Sequence, residues 1–176
     1  ATRYGGWENT NIAGHCVGHY LTAIAQAYQN PTISDKDKNE LYSRMKKLID
    51  GMQQCQNNSK GKPGFLWAAP KPSDGNVERQ FDRVEVGKAN IFDDAWVPWY
   101  TMHKLIAGLV DVYKATGYAP AKEVGSNLGD WVYNRCSKWS DQTHRTVLSI
   151  EYGGMNDCMY DLYAITGKDS HATAAH

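Results

Sequence analysis

The chain has 176 residues, 41% of them hydrophobic and 22% charged, enough to bury a core in the size range of one domain, about 100–200 residues. Its 19 Lys+Arg balance 19 Asp+Glu, and no run of about five like charges occurs, which argues against a duplex-binding face or a polybasic membrane patch. No apolar stretch approaches the roughly 20 residues that cross a bilayer, and the first residues lack the basic start and apolar run of a signal peptide. A soluble chain is expected, with any export signal removed or never there.

Between residues 12 and 29, Cys16, Tyr20, Ile24, Ala27 and Tyr28 recur at three- to four-residue intervals before Asn30-Pro31, which predicts a helix. Ser34 and Asp35 cap a second helix over 35–55, whose Leu41, Met45, Leu48, Ile49 and Met52 form one apolar face. A third, over 98–116, carries Met102, Leu105, Ile106, Leu109, Val110 and Tyr113 and stops at Gly117. A fourth over 120–136 takes in Val124, Leu128, Trp131 and Val132, and a fifth is expected over 154–166. Asp169 or Ser170 caps a sixth over 169–176.

Two helix ends are near copies, Tyr113-Lys-Ala-Thr-Gly117 and Tyr163-Ala-Ile-Thr-Gly167, and each closes a charge-poor helix followed by a more polar one. The expected fold is therefore all-α, built of helical hairpins in an inner and an outer layer, as an open solenoid or a closed ring. The connection over 57–97 exceeds the two to eight residues usual between helices. Its glycines and prolines argue against a helix there, and Phe65, Trp67, Phe81, Phe92 and Trp96 argue against a disordered linker. Val84-Glu85-Val86 is a candidate short strand.

Several groups of residues carry possible chemistry. Tyr 11, Trp 6 and Phe 3 are an aromatic excess for a mean hydropathy of -0.60, which suits either a sugar-binding groove or ordinary helix packing. His15 and His19 stack one turn apart beside Cys16, as a metal pair or as one core histidine and one pocket histidine. Trp96-Val-Pro-Trp-Tyr-Thr-Met-His103 sets Trp99, Tyr100 and His103 at a helix mouth, where free amide donors, stacking rings and an imidazole suit a sugar. Trp96 reads equally as a lid over the core. Asp82-Arg83 suggests a structural ion pair, and Phe92-Asp93-Asp94 is a second acidic point of the long connection. Glu151-Tyr-Gly-Gly-Met-Asn-Asp157 pairs glycines that allow close backbone approach with Asn156 and Asp157, as ligand contacts or as helix caps. Glu85 and Asp157 are an alternative acid/base pair for glycoside hydrolysis. The scattered Cys16, Cys55, Cys136 and Cys158 give no disulfide framework, though a single bridge stays open. Asn57-Asn58-Ser59 is a glycosylation triplet in a polar stretch.

Taken together, Gly6-Trp-Glu8, Gly14-His-Cys-Val-Gly-His-Tyr-Leu-Thr-Ala23, Phe81-Asp-Arg-Val-Glu85, Trp96-Val-Pro-Trp-Tyr-Thr-Met-His-Lys104 and Glu151-Tyr-Gly-Gly-Met-Asn-Asp157 resemble glycoside hydrolase families 127 and 146, the β-L-arabinofuranosidases. The resemblance implies an (α/α)6 barrel followed by β-sandwich domains, of which these helices are about half the ring. It implies a carbohydrate substrate, an arabinose-containing plant glycan, and sugar contacts from His103 and Asn156, with His19 and Glu85 near the same pocket. Where that pattern often has glutamate, this chain has Asp157. The resemblance further implies a retaining mechanism through a cysteine thiolate held on zinc by cysteines and glutamate. None of the four cysteines here matches those positions, so no cofactor and no catalytic residue are expected within these 176 residues; zinc, nucleophile and acid/base are expected in a C-terminal remainder of the same barrel. The 176 residues alone are then expected to be inactive, in a protein that is extracellular or of the cell envelope. The contrasting expectation is a helical-hairpin module that binds a glycan or a protein without catalysis.

Overall fold

The computed structural model describes residues 5–69, 72–90 and 94–176. The described residues form a 3-10 turn, Gly6–Asn9, and eight α-helices: α1 His15–Tyr28, α2 Asp35–Asn57, α3 Arg79–Glu85, α4 Pro98–Thr116, α5 Ala119–Cys136, α6 Asp141–Ile150, α7 Met155–Thr166 and α8 Asp169–Ala175. No strand occurs among them; an isolated bridge pairs Asn90 with Ala95. The chain is all-α, as its periodicity predicts.

Three hairpins stack side by side. The apolar helices α1, α4 and α7 pack in that order as an inner layer, and α2, α5 and α8 follow the same order outside them. Leu21, Met102, Ile106, Leu109, Val124, Leu128, Met159 and Leu162 fill the seam between the layers and are almost wholly buried. Connections into α1, α4 and α7 all arrive at one end of the inner layer. That end gathers the first-turn amide donors of three helices.

The inner layer is tightest where α1 crosses α4. A β-carbon built on Gly18 would lie 2.1 Å from the Lys104 carbonyl oxygen, and one on Gly108 would lie 2.6 Å from the Gly18 carbonyl oxygen. Backbone meets backbone there, a contact that any side chain would prevent.

Two helices depart from the sequence expectation. The connection over 57–97 is not helix-free: α3 forms inside it, with Gln80, Phe81 and Val84 as its buried face. Val84 and Glu85 are therefore its last turn rather than a strand. The short, polar α6 forms where no helix is expected, with Val147 as its buried residue and Ser140 accepting the Thr143 N–H as its cap. Both lack the long periodic pattern by which a helix announces itself, and they pack on each other. Phe92 and Asp93 lie outside the described residues.

Tertiary contacts hold α3 in place of propensity. Phe81 is fully buried and its ring stands 4.8–6.0 Å from those of Trp131, Trp99, Trp67 and Phe65. Beside it the buried guanidinium of Arg135 reaches Glu78 at 2.9 Å and also pairs with Asp82 and Glu85. Asp82 thus pairs with Arg135 on α5, and its neighbour Arg83 pairs instead with Asp94 at 3.0 Å. Glu78 also accepts the Lys62 N–H at 2.6 Å and the Trp131 indole N–H at 3.3 Å. One cation therefore ties both halves of the long connection to α5.

Removing that cation leaves the buried Glu78 carboxylate and the largely enclosed Glu85 without a counter-charge. Arg135→Met is expected to cost about 3–5 kcal/mol in urea unfolding, well above the effect of breaking the exposed Lys114–Asp161 pair by Lys114→Met, about 0–1 kcal/mol.

Candidate functional site

A groove of ≈ 880 Å³ opens at the end where α4 and α7 begin, lined by Tyr100, His103, Trp139, His144, Glu151 and Asn156 among others. His103 lies one turn into α4 and packs on the backbone before α7. A β-carbon on Gly154 would fall 2.5 Å from His103 Nδ1, so the second glycine of Gly153-Gly154 makes room for the imidazole. Burial first, and then the Lys104 charge, lower the His103 pKa, with Asp157 opposing. His103 is accordingly a neutral donor and acceptor near pH 7.

His19 Nε2 stands 3.2 Å from the Tyr100 hydroxyl, which links α1 to α4. Burial, Lys104 and His15 lower the His19 pKa as well. Lys104 itself sits over the Tyr100 ring, 5.2 Å from its centroid, and Tyr100 is 37% exposed. Asn156 is exposed on the groove wall at the start of α7, its Oδ1 accepting the Asp157 N–H at 3.0 Å. Asp157 is exposed beside it. His19, Tyr100, His103, Asn156 and Asp157 thus belong to the first turns of the three inner helices.

Two expected site residues are placed differently from the expectation. Trp99 is only 4% exposed and packs edge-on against Phe81 and Trp139, with centroids at 4.9 Å and 5.4 Å; it is a wall of the aromatic core whose rim borders the groove, not an open stacking platform. Glu85 is bound to Arg135 and accepts the Trp139 indole N–H at 2.8 Å, so its carboxylate anchors α3 and does not line the groove. Trp96 stacks at 5.2 Å on the exposed Trp7. His15 is the more enclosed histidine of its pair: its Nδ1 lies 2.7 Å from Glu8 and 2.9 Å from the Ile12 carbonyl oxygen. All four thiols are unpaired.

The residues that sequence reasoning passed over are the two carboxylates that hold the inner helices. Glu8 accepts the Gly14 and Cys16 N–H groups at 2.9 and 3.1 Å and so caps α1. Glu151 accepts the Tyr100 and Trp99 N–H groups at 2.9 and 3.3 Å and caps α4 from the connection before α7. Neither sits at the position that local capping rules assign, because each reaches a helix remote from itself or folds back over several residues. Burial pushes the Glu151 carboxyl up to about 7, and the two N–H donors pull against that shift.

A family model described as Beta-L-arabinofuranosidase, GH127 catalytic domain, matches residues 1–176 of the chain. No curated protein matches it.

Glu151 makes the groove end sensitive to pH. Its folded pKa of about 7 lies above the ordinary value of 4.5, so between those two values the folded state retains a proton that the unfolded chain has released. The stability it contributes is full below about pH 4.5 and is lost as pH rises through 7. Urea unfolding of Glu151→Gln from pH 4 to 8 is expected to lack this downward slope, which the unaltered chain shows.

Proposed function

Because the chain belongs to the family of β-L-arabinofuranosidase GH127 catalytic domains, whose members are glycoside hydrolases, we propose that its groove is the sugar-binding wall of a retaining β-L-arabinofuranosidase acting on plant glycans. The observation that carries this reading is the convergence of Tyr100, His103 and Asn156 on one groove end, with His19 on the third inner helix reaching the Tyr100 hydroxyl. An uncharged furanose presents hydroxyls that both donate and accept. Neutral imidazoles, a phenol and an amide answer both needs, and neither of the flanking carboxylates Glu8 and Glu151 spends a full charge on the groove, since backbone N–H groups hold them.

In this reading His103 exchanges hydrogen bonds with a sugar hydroxyl, Asn156 contacts a second, and Tyr100 offers both its ring face and its hydroxyl, fixed by His19. The two-carboxylate alternative loses its first member, because Glu85 is committed to Arg135 and Trp139. The zinc-held thiolate that the family resemblance implies needs several cysteines and a glutamate at one point. Cys55, Cys136 and Cys158 are on α2, α5 and α7, and among the described residues no cluster of metal-ligating side chains contains two thiols. These residues do not fit that group. The 176 residues bind the sugar and do not turn it over, and the rest of the ring in the (α/α)6 reading supplies the reacting groups.

Two measurements on the purified chain test this. L-arabinose titrated in NMR is expected to shift groove resonances, and His103→Ala or Asn156→Ala is expected to weaken that binding about tenfold, the worth of one good hydrogen bond. An aryl β-L-arabinofuranoside is expected to release no aryl alcohol. Release by the chain alone would overturn the division of labour, and absence of sugar binding would overturn the groove assignment.

A further inference from the structure

Away from the groove lining, the turn Gly6–Asn9 carries Glu8 back over the first turn of α1. Both acceptors of the His15 Nδ1, the Glu8 carboxylate at 2.7 Å and the Ile12 carbonyl at 2.9 Å, require its proton on that nitrogen. In the neutral ring the other nitrogen, Nε2, then carries the lone pair, and it stands 3.5 Å from Cys16 Sγ. A carboxylate oxygen, an imidazole nitrogen and a thiol sulfur thus lie within 4.8 Å of one another. Among the described residues this is the one place where three metal-ligating side chains meet, and all three are partly buried.

We propose that Glu8, His15 and Cys16 form a binding site for a divalent cation of the zinc class, distinct in donor set and position from any multi-thiolate centre.

The spacing suits that ion. Nitrogen and sulfur ligands at about 2.0 and 2.3 Å from a tetrahedral metal stand about 3.6 Å apart, close to the 3.5 Å between His15 Nε2 and Cys16 Sγ. The His15 Nδ1–H is already held by a carboxylate and a carbonyl, the outer partners by which metal-binding histidines are oriented. The Glu8 oxygens are themselves fixed by the Gly14 and Cys16 N–H groups, so the site is organised before any ion arrives. On binding, the metal–sulfur bond forms as the Cys16 S–H bond breaks and its proton passes to solvent. The thiolate and the Glu8 carboxylate then balance the two positive charges, which matters beside the positive end of α1. Glu8, whose oxygens hold the His15 Nδ1–H and two backbone N–H groups, stays an outer partner, and the nitrogen and sulfur ligands select zinc, cobalt or nickel over magnesium and calcium, which demand oxygen. Water completes the coordination.

The inference stands without the sugar reading, since its test involves no sugar. Metal-free chain titrated with Co²⁺ is expected to take up one equivalent, with a sulfur-to-cobalt charge-transfer band in the near ultraviolet that Zn²⁺ abolishes by displacement. Cys16→Ser removes the band, Glu8→Gln lowers the affinity about 10–100-fold, and Cys55→Ser and Cys136→Ser leave both unchanged. A band that survives Cys16→Ser, or no band at all, would overturn the proposal. A measurement on the unaltered chain guards against a variant that misfolds: Zn²⁺ is expected to slow alkylation of Cys16 by iodoacetamide, read from the mass of its peptide. Equal rates with and without Zn²⁺ would sink it as well.

Discussion

Much of this molecule hangs on the guanidinium of Arg135. Burying a cation is costly unless every face of it is answered, and here Glu78, Asp82 and Glu85 answer its three nitrogens while its central carbon lies over the rings of Phe81 and Trp131 at 5.5 and 5.6 Å. All three acids belong to the connection between α2 and α4, so neutralising Arg135 and folding that connection are one event. The effect passes on to the groove. Gln80, on the helix so anchored, donates to the Asn11 carbonyl at 2.8 Å and accepts the Trp96 N–H at 3.2 Å. The approaches to α1 and to α4 are thereby set by the same short helix.

The groove end shows how helix termini can be crowded together without a net field. Three inner helices direct their positive ends to one side, a surface that would attract anions if left open. Glu8 and Glu151 occupy two of those ends through backbone N–H groups, and glycine backbone opens the third. What the starts of α4 and α7 then offer to the groove is neutral donors and acceptors, from Tyr100, His103 and Asn156. Lowered pKa values at His19 and His103 follow from the same burial and from the charge of Lys104. That balance favours an uncharged, hydroxyl-rich ligand over a phosphate or a carboxylate.

Periodicity made the long helices legible: the apolar stripes of Met102–Tyr113 and Leu41–Met52, and the glycines that end α4 and α7, are strong local signals. It could not reveal α3, where Arg79–Glu85 is two turns long and owes its form to Arg135, a partner 50 residues away from Glu85. The polar α6 was hidden for the same reason. At the site, the placement of His103, His19 and Asn156 at helix starts was readable from residue type and position. The commitment of Glu85 to an ion cluster and the burial of Trp99 were not, because both depend on which distant surface comes to meet them. The capping carboxylates Glu8 and Glu151 were in view only as members of motifs, since their partners are backbone groups that no residue pattern names.

The contact of Gly18 with Gly108 has a consequence for how finely the groove can be adjusted. Where two helices are held apart by side chains, their spacing drifts as those side chains change, and repacking absorbs the difference. Between α1 and α4 the nearest approaches at the crossing are backbone to backbone, with only the β-carbons of Leu21 and Lys104 beside them, so the spacing is set chiefly by peptide groups. His19 is one residue beyond Gly18, and Tyr100 and His103 lie a turn or two before Gly108. Their mutual distance is therefore gauged by the thickness of the backbone, a dimension that drift in the surrounding core leaves untouched.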